Sequence, residues 1–440
     1  MSNTQKQNGS IIAIITMMFL YAMISFVTNL AAPIGVIWKG AFDGSNTVGM
    51  LGNAMNFLAY LFMGIPAGKL LTNIGYKKTA LAGIGTGFVG VLVQFISGSV
   101  AGTPGFVVYL LGAFIAGFSV CMLNTVVNPM LNLLGGGGNR GNQLNLIGGT
   151  LNSLAGTLTP LFVGALIGDA AKASFSDVNP VMYIAMAVFA AAFVVLSFIP
   201  ITNPDQGSTA EDVPVLAPLK FRHCLLGVIA IFMYVGIEIG IPATMNLWLA
   251  DKSGPLMTSG IDDVVKNAAG IAGMVAGTYW FLMLIGRTVG AFIGGKISSR
   301  ILMTFTTATA IILILIGTQT TGIAAKMPVI SVGAEGVKLA MVQVPLTALL
   351  FALCGLMTSI MWPSTFNLAT EKLGKYTAAA SGLFMVMVVG GGVLPLVQNF
   401  IADKAGYMIS YAVPVLALAY MFVYSAFLSK PPKNIDELVK

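Results

Sequence analysis

Asn124–Asn152, NTVVNPMLNLLGGGGNRGNQLNLIGGTLN, puts seven asparagines inside a pattern that is otherwise apolar enough to cross a membrane. A carboxamide without a partner in hydrocarbon is costly, so these residues need a polar destination. Asn124, Asn128 and Asn132 stand at i, i+4 and i+8, which on a helix makes one stripe, and a Gly-rich turn leads into a second span carrying Asn145 and Asn152. Two helices thus present amides toward a shared interior.

Working outward, the composition sets the class. Of the 440 residues, 57% are hydrophobic and only 8% are charged, which cannot furnish a soluble surface. The chain is polytopic. Its net charge of +7 is scattered through short connections rather than gathered on one segment, which argues against nucleic acid as a partner. Cys121, Cys224 and Cys354 lie in apolar segments without paired spacing, and the sole histidine is His223, so neither a disulfide framework, a metal site nor a cofactor is expected. With no nucleophile and base in any cluster, the chain does not read as an enzyme. The polar start MSNTQKQNGS runs into an apolar segment without a cleavage site, which predicts a retained helix.

Twelve spans are expected, at about 11–38, 47–71, 79–97, 104–134, 143–168, 179–200, 222–250, 268–296, 299–318, 339–368, 376–402 and 407–428. Pro33, Pro129, Pro160, Pro242, Pro363, Pro395 and Pro414 fall inside them, as bends do in transporters. Loop Lys and Arg number fourteen on the side of both termini against seven opposite, so both termini are expected in the cytoplasm. The hydrophilic stretch 202–219 reads as a cytoplasmic linker between a six-helix bundle at 1–201 and another at 220–440. Weak internal echoes agree with that division: AGKLL at 67 with GGKIS at 294, Asn128-Pro129 with Trp362-Pro363, and Pro160-Leu161 with Pro395-Leu396, all offset by 227 to 235 residues. The expected fold is therefore an all-α polytopic membrane protein of twelve transmembrane helices in two six-helix bundles, with a site between them.

Intramembrane charge is expensive and marks function, and only Glu238 and Arg287 lie well inside spans. Glu238 reads as a hydroxyl acceptor or protonatable coupling group, or else as the structural partner of Arg287. Arg287 reads first as structural or gating. Single asparagines serve as interhelical glue, but the seven here, joined by Asn29, Asn53, Asn56, Asn246, Asn367, Gln398 and Asn399, exceed what packing needs. Carboxamides both donate and accept, as a polyhydroxylated ligand requires once its water is stripped. Trp248, Trp280 and Trp362 serve as interfacial anchors or as stacking faces; Trp362, beside Pro363 in mid-span, fits an anchor least. Gly390-Gly391-Gly392 reads as a hinge or a site of close backbone approach.

The segment Gly68–Leu81, GKLLTNIGYKKTAL, resembles the second-to-third-span signature of the major facilitator superfamily, G-x-L-x-D-R-x-G-R-K, with Gly68, Leu70, Gly75 and Lys77 matching. Thr72 and Asn73 stand where that signature has its acid and following base. Within the superfamily the chain is similar to the fucose permease-like branch of sugar transporters. NTVVNP, NLIGGTLNSLAG, YVGIEIGI, IGRTVGAFIGGKI and the long block GLMTSIMWPSTFNLATEKLGKYTAAASGLFMVMVVGGGVLPLVQNFIAD carry the likeness. The resemblance implies a monosaccharide-class substrate and substrate-facing positions at Asn29, Asn124, Asn128, Asn152 and Glu238. In its proton-coupled members the positions matching Asn29 and Asn124 bear carboxylates, whereas an amide cannot exchange a coupling proton near neutral pH.

The expected function is secondary-active transport of a monosaccharide across the bacterial inner membrane by alternating access. The substrate set is Asn29, Asn124, Asn128, Asn152, Glu238, Trp362, Asn367 and Gln398, with Glu238 the candidate for coupling to a proton or sodium, and Arg287, Gly68, Gly75 and Lys77 for structure and gating. The partners are the sugar, a co-transported cation and the lipid bilayer, and the chain is expected to act as a monomer. Facilitated uniport is the alternative, followed by an efflux antiporter or a transporter-like sensor.

Overall fold

The computed structural model describes residues 3–42, 44–100, 102–134, 138–167, 175–199, 214–293, 297–333, 336–373 and 376–432. Most of the linker expected at 202–219 falls outside these, as do Lys172, Lys296, Lys375, Lys433 and Lys440 and the side chains of Lys6, Asn132, Arg140, Asn145 and Pro160.

Helices α1 (Asn3–Ala41), α2 (Asn46–Ser97), α3 (Gly102–Leu134), α4 (Gly138–Ile167) and α5 (Asn179–Phe198) precede the linker. After it come α6 (Arg222–Leu249), the short α7 (Asp262–Lys266), α8 (Ala268–Ile293) and α9 (Ser299–Thr318). Strands β1 (Ala324–Gly333) and β2 (Gly336–Pro345) follow, then α10 (Leu346–Thr358), α11 (Met361–Thr370), α12 (Thr377–Met387), α13 (Gly390–Ala405), α14 (Tyr407–Ser410) and α15 (Ala412–Val423). Among the described residues eleven segments are long and apolar enough to cross a membrane, and the thirty-residue α4 lies beside them. The membrane fold is all-α.

One expected element changes and one connection is tighter than expected. Within 68–81 two helical stretches of α2 meet at a sharp kink at Gly75, whose non-helical φ of 82° and ψ of 171° suit glycine alone. The second and third expected spans stand on either side of it, within Asn46–Leu71 and Asn73–Ser97. The tenth span begins at Leu346 rather than 339, because residues 336–345 pair with 324–333 as an antiparallel hairpin, Ala324 opposite Pro345 and Gly333 opposite Gly336. Met327, Val329 and Val344 are buried on its inner face while Leu339 and Met341 stand exposed, the alternation that period-2 side chains impose. The hairpin is fastened to the helix ends where the Leu346 amide donates to the Ile323 carbonyl at 2.7 Å and the Thr347 hydroxyl to the Gly317 carbonyl at 2.7 Å.

A proline explains one discontinuity. Pro363 offers no N–H to the Ser359 carbonyl, and the helix is interrupted there, between α10 and α11. Between α12 and α13 the break is followed by Gly390-Gly391-Gly392. A Cβ on Gly390 would lie 2.0 Å from the Phe232 carbonyl oxygen of α6, and one on Gly392 would lie 2.8 Å from the Ala54 carbonyl oxygen of α2. The triplet is thus a close-approach site. Pro395 leaves the Gly391 carbonyl without its helical donor, and Asn53 of α2 supplies one at 2.8 Å.

Helices before the linker pack mainly on one another, as do those after it; the two sets meet chiefly where α4 lies on α8 and where α2 lies on α12 and α13.

Candidate substrate site

On α1, Tyr21, Ser25 and Asn29 recur every fourth residue and form one face; on α3, Asn124 and Asn128 do the same. The faces meet where the Tyr21 hydroxyl donates to Asn128 Oδ1. Asn128 Nδ2 donates to the Asn124 carbonyl at 2.9 Å, and Asn124 Nδ2 to the Tyr60 hydroxyl of α2 at 2.7 Å. From α4, Asn152 Nδ2 reaches the Tyr21 carbonyl at 3.2 Å. Asn29 Nδ2 donates to the Ser25 carbonyl at 2.9 Å and to its hydroxyl at 3.2 Å. Each carboxamide gives at least one N–H to the protein, whereas Oδ1 of Asn29, Asn124 and Asn152 accepts no hydrogen bond among the described residues.

The later helices answer with charge. Glu238 Oε1 on α6 accepts from the Tyr234 hydroxyl at 2.7 Å and from Arg287 Nη2 of α8 at 3.1 Å. Arg287 Nη1 crosses to α4, donating to the Gly149 carbonyl at 2.8 Å and the Ser153 hydroxyl at 2.9 Å. The carboxylate and guanidinium side chains are each only 14% exposed. Two opposite charges so placed tolerate burial because each neutralises the other and hydrogen bonds fill the remaining valences. Glu238 Oε2 carries no protein partner among the described residues.

Aromatic faces flank these groups. The Trp362 ring on α11 lies 5.9 Å from that of Tyr234, tilted by 54°. A Cβ on Gly156 of α4 would come within 3.2 Å of the Trp280 ring and 3.3 Å of Asn29 Nδ2, so this glycine lets α8 and α1 close over α4. Chemically the arrangement is an array of acceptors, three carboxamide oxygens and one carboxylate oxygen, beside indole faces. It suits a ligand that brings hydroxyl donors and an apolar ring face.

Of the expected residues, Asn124, Asn128 and Asn152 are linked through Tyr21 and Tyr60, Asn29 bonds to Ser25 of its own helix, and Glu238 is held by Arg287, which also reaches α4, with Trp362 beside Tyr234. Asn367 stands apart, exposed on the last turn of α11 without a hydrogen bond among the described residues. Gln398 is buried on α13, its Oε1 2.6 Å from where a Cβ on Gly240 would sit, and its Nε2 has no partner among the described residues. Neither joins the network. Gly75 makes the bend in α2, Lys77 Nζ donates to the Ser197 carbonyl at 2.8 Å, and Gly68 faces open space. The sequence reading missed Tyr21, Tyr60, Tyr234 and Ser153. The signal was present: a tyrosine within a span must find a partner for its hydroxyl, and Tyr21 and Tyr234 each stand four or eight residues from a polar residue already singled out.

A family model described as Major Facilitator Superfamily matches residues 14–340. The chain is 28% identical over 440 residues to a glucose/galactose transporter of Brucella abortus, covering 98% of this chain and 96% of that protein. It is 24% identical over 446 residues to the L-fucose-proton symporter of Escherichia coli, covering 95% and 93%. The crystal structure of the Escherichia coli fucose:proton symporter superimposes with a TM-score of 0.66 at 19% identity, over 96% of this chain and 100% of that one.

Proposed function

Since the chain belongs to the Major Facilitator Superfamily, we propose that it is a monosaccharide carrier of the bacterial inner membrane, working by alternating access. The observation that carries this reading is the acceptor array: Oδ1 of Asn29, Asn124 and Asn152 and Oε2 of Glu238 accept no hydrogen bond among the described residues, with the Trp280 ring and Asn29 both against Gly156 and the Trp362 ring beside Tyr234. Sugar hydroxyls donate to these oxygens, and the less polar face of the ring rests on indole. Two of the relatives are a glucose/galactose transporter and a fucose symporter, whose substrates share that chemistry.

The carrier has twelve spans, with α4 supplying the fifth, in two six-helix bundles at 1–201 and 220–440 joined by the linker 202–219. Both termini face the cytoplasm, following the excess of basic residues there. The bundles rock about the site; Arg287, which holds Glu238 in one bundle and Gly149 and Ser153 in the other, is the contact that rocking must remake. Coupling is to a cation, with Glu238 its candidate ligand or proton acceptor. Uniport is the second reading: Glu238 is already paired with Arg287, and Asn29 and Asn124 are amides that cannot exchange a proton near neutral pH.

The test is uptake of radiolabelled glucose, galactose and fucose into proteoliposomes holding the purified carrier. Saturable counterflow of at least one is expected; no counterflow of any monosaccharide would sink the reading. Accumulation driven by an imposed proton or sodium gradient marks symport, and equilibration without accumulation marks uniport.

A further inference from the structure

At the end of the molecule opposite the chain termini, a second polar cluster lies apart from the substrate network. Lys39, in the last turn of α1, is 7% exposed, and its ammonium is ion-paired with Asp251, just past the end of α6. The same ammonium donates to the Tyr407 hydroxyl at 2.6 Å and to the Leu247 carbonyl at 3.4 Å. Tyr407 in turn donates to Asn46 Oδ1 at 2.6 Å or to Asp251 Oδ2 at 2.9 Å. One turn away, Asp403 of α13 accepts from the backbone amides of Asn46 at 2.8 Å and Thr47 at 2.9 Å and from the hydroxyls of Ser45 at 3.0 Å and Thr47 at 2.6 Å. A carboxylate from the later helices thus caps the N-terminus of α2, where the free N–H groups and the helix dipole favour negative charge.

Every one of these bonds except the contacts between Tyr407 and Asp251 joins a residue before the linker to one after it. Lys39–Asp251 is the ion pair among the described residues that does so; Glu238–Arg287 and Arg300–Glu371 each lie within the later helices. A lysine this buried is tolerated only while its counter-charge is present, so separating the helix sets here strips Lys39 and Asp251 of each other and uncaps α2.

We infer that Lys39, Asp251, Tyr407 and Asp403 form an electrostatic latch that keeps the extracytoplasmic side of the carrier shut and sets its resting population in the inward-facing state. This rests on the carrier reading, because only a molecule that alternates access has a gate to latch. The latch makes the equilibrium lopsided before any substrate binds, so a ligand loading from outside must first find the rare unlatched form, which lowers its apparent affinity by the fraction unlatched.

The test reads gate opening without reference to transport. Met50, buried on α2 one turn below Asn46, is replaced as Met50→Cys in the full-length carrier, whose own Cys121, Cys224 and Cys354 are all buried. Alkylation by a membrane-impermeant maleimide is followed in right-side-out vesicles. Adding Lys39→Met or Asp403→Asn is expected to raise the rate roughly tenfold, and the exchange Lys39→Asp with Asp251→Lys to return it toward the parent value. Labelling of the parent without Met50→Cys, carrying the same latch substitutions, reports on unfolding and should stay low. Unchanged alkylation in variants that remain folded overturns the latch. Failure of sugar counterflow with latch-dependent alkylation intact would instead overturn the choice of substrate.

Discussion

At the scale of single residues, the decisive fact is that Arg287 has three obligations and Glu238 has one free oxygen. Removing the cation alone, as in Arg287→Met, strands a buried carboxylate and should cost about 3–5 kcal/mol of stability. Replacing both, Arg287→Met with Glu238→Gln, should recover most of that loss while abolishing transport. Thermal unfolding in detergent, set beside counterflow, separates the two outcomes; a double variant no more stable than the single would mean the pair does not act as a unit. The single variant Glu238→Gln keeps a hydrogen-bond acceptor at Tyr234 but gives up the charge. Its sugar affinity should fall roughly tenfold to a hundredfold, the worth of a hydrogen bond to an ionised group, measured as the shift in half-saturation of counterflow. Asn124 poses the opposite question. Asn124→Asp puts a titratable group beside the Tyr60 hydroxyl, 2.7 Å from the present amide, and should make uptake depend more steeply on external pH between about 5 and 7. An unchanged pH profile would show that charge at this position does not govern coupling.

At the scale of elements, strain gathers at a few backbone positions. Gly75 occupies φ 82° and ψ 171°, so Gly75→Ala should cost about 1–3 kcal/mol and lower the melting temperature, whereas Gly68→Ala, facing open space, should change it little. A melting point equal for the two would place the bend elsewhere. The same positions show what the sequence makes legible. The stripe Asn124, Asn128 could be read directly because helical period alone assigns it a face, and Glu238 and Arg287 because hydrocarbon makes charge conspicuous. The Ala324–Pro345 hairpin was hidden: LAMVQVP is as apolar as the start of a span, and only its pairing with 324–333 reveals a strand. The tyrosines were hidden for another reason. Tyr21 and Tyr60 matter through contacts to α3, and such long-range choices leave no periodic mark along the chain. Pro33 and Pro242 stand four residues after Asn29 and Glu238, so two of the four residues that offer side-chain acceptors also carry carbonyls lacking their usual helical donor.

At the scale of the whole molecule, the latch is predicted to withstand mild acid. Burial pushes the Asp251 carboxyl up, but the hydrogen bonds from Lys39 and Ser253 and the lysine charge outweigh it and hold the group down at about 2. A depressed acid stabilises the fold above its unfolded value, near 3.9, and the contribution is lost as pH falls through the folded value. Lys39 of α1, Tyr407 of α14 and the neighbouring Ser253 face this carboxylate, and Asp403 of α13 acts on the same ammonium. Gate alkylation, corrected for the thiol's own ionisation, should therefore be flat as pH falls from about 7 to 5. A rate that climbs steeply within that window would mean a different group controls opening. The cap on α2 also bears on how the chain is made. Asn46 and Thr47 emerge from the ribosome some 350 residues before Asp403, the acid that satisfies their amides. Through most of synthesis the start of α2 must borrow water or lipid headgroups as its acceptor, and the bilayer holds an early half whose helix end is finished only when the late half arrives.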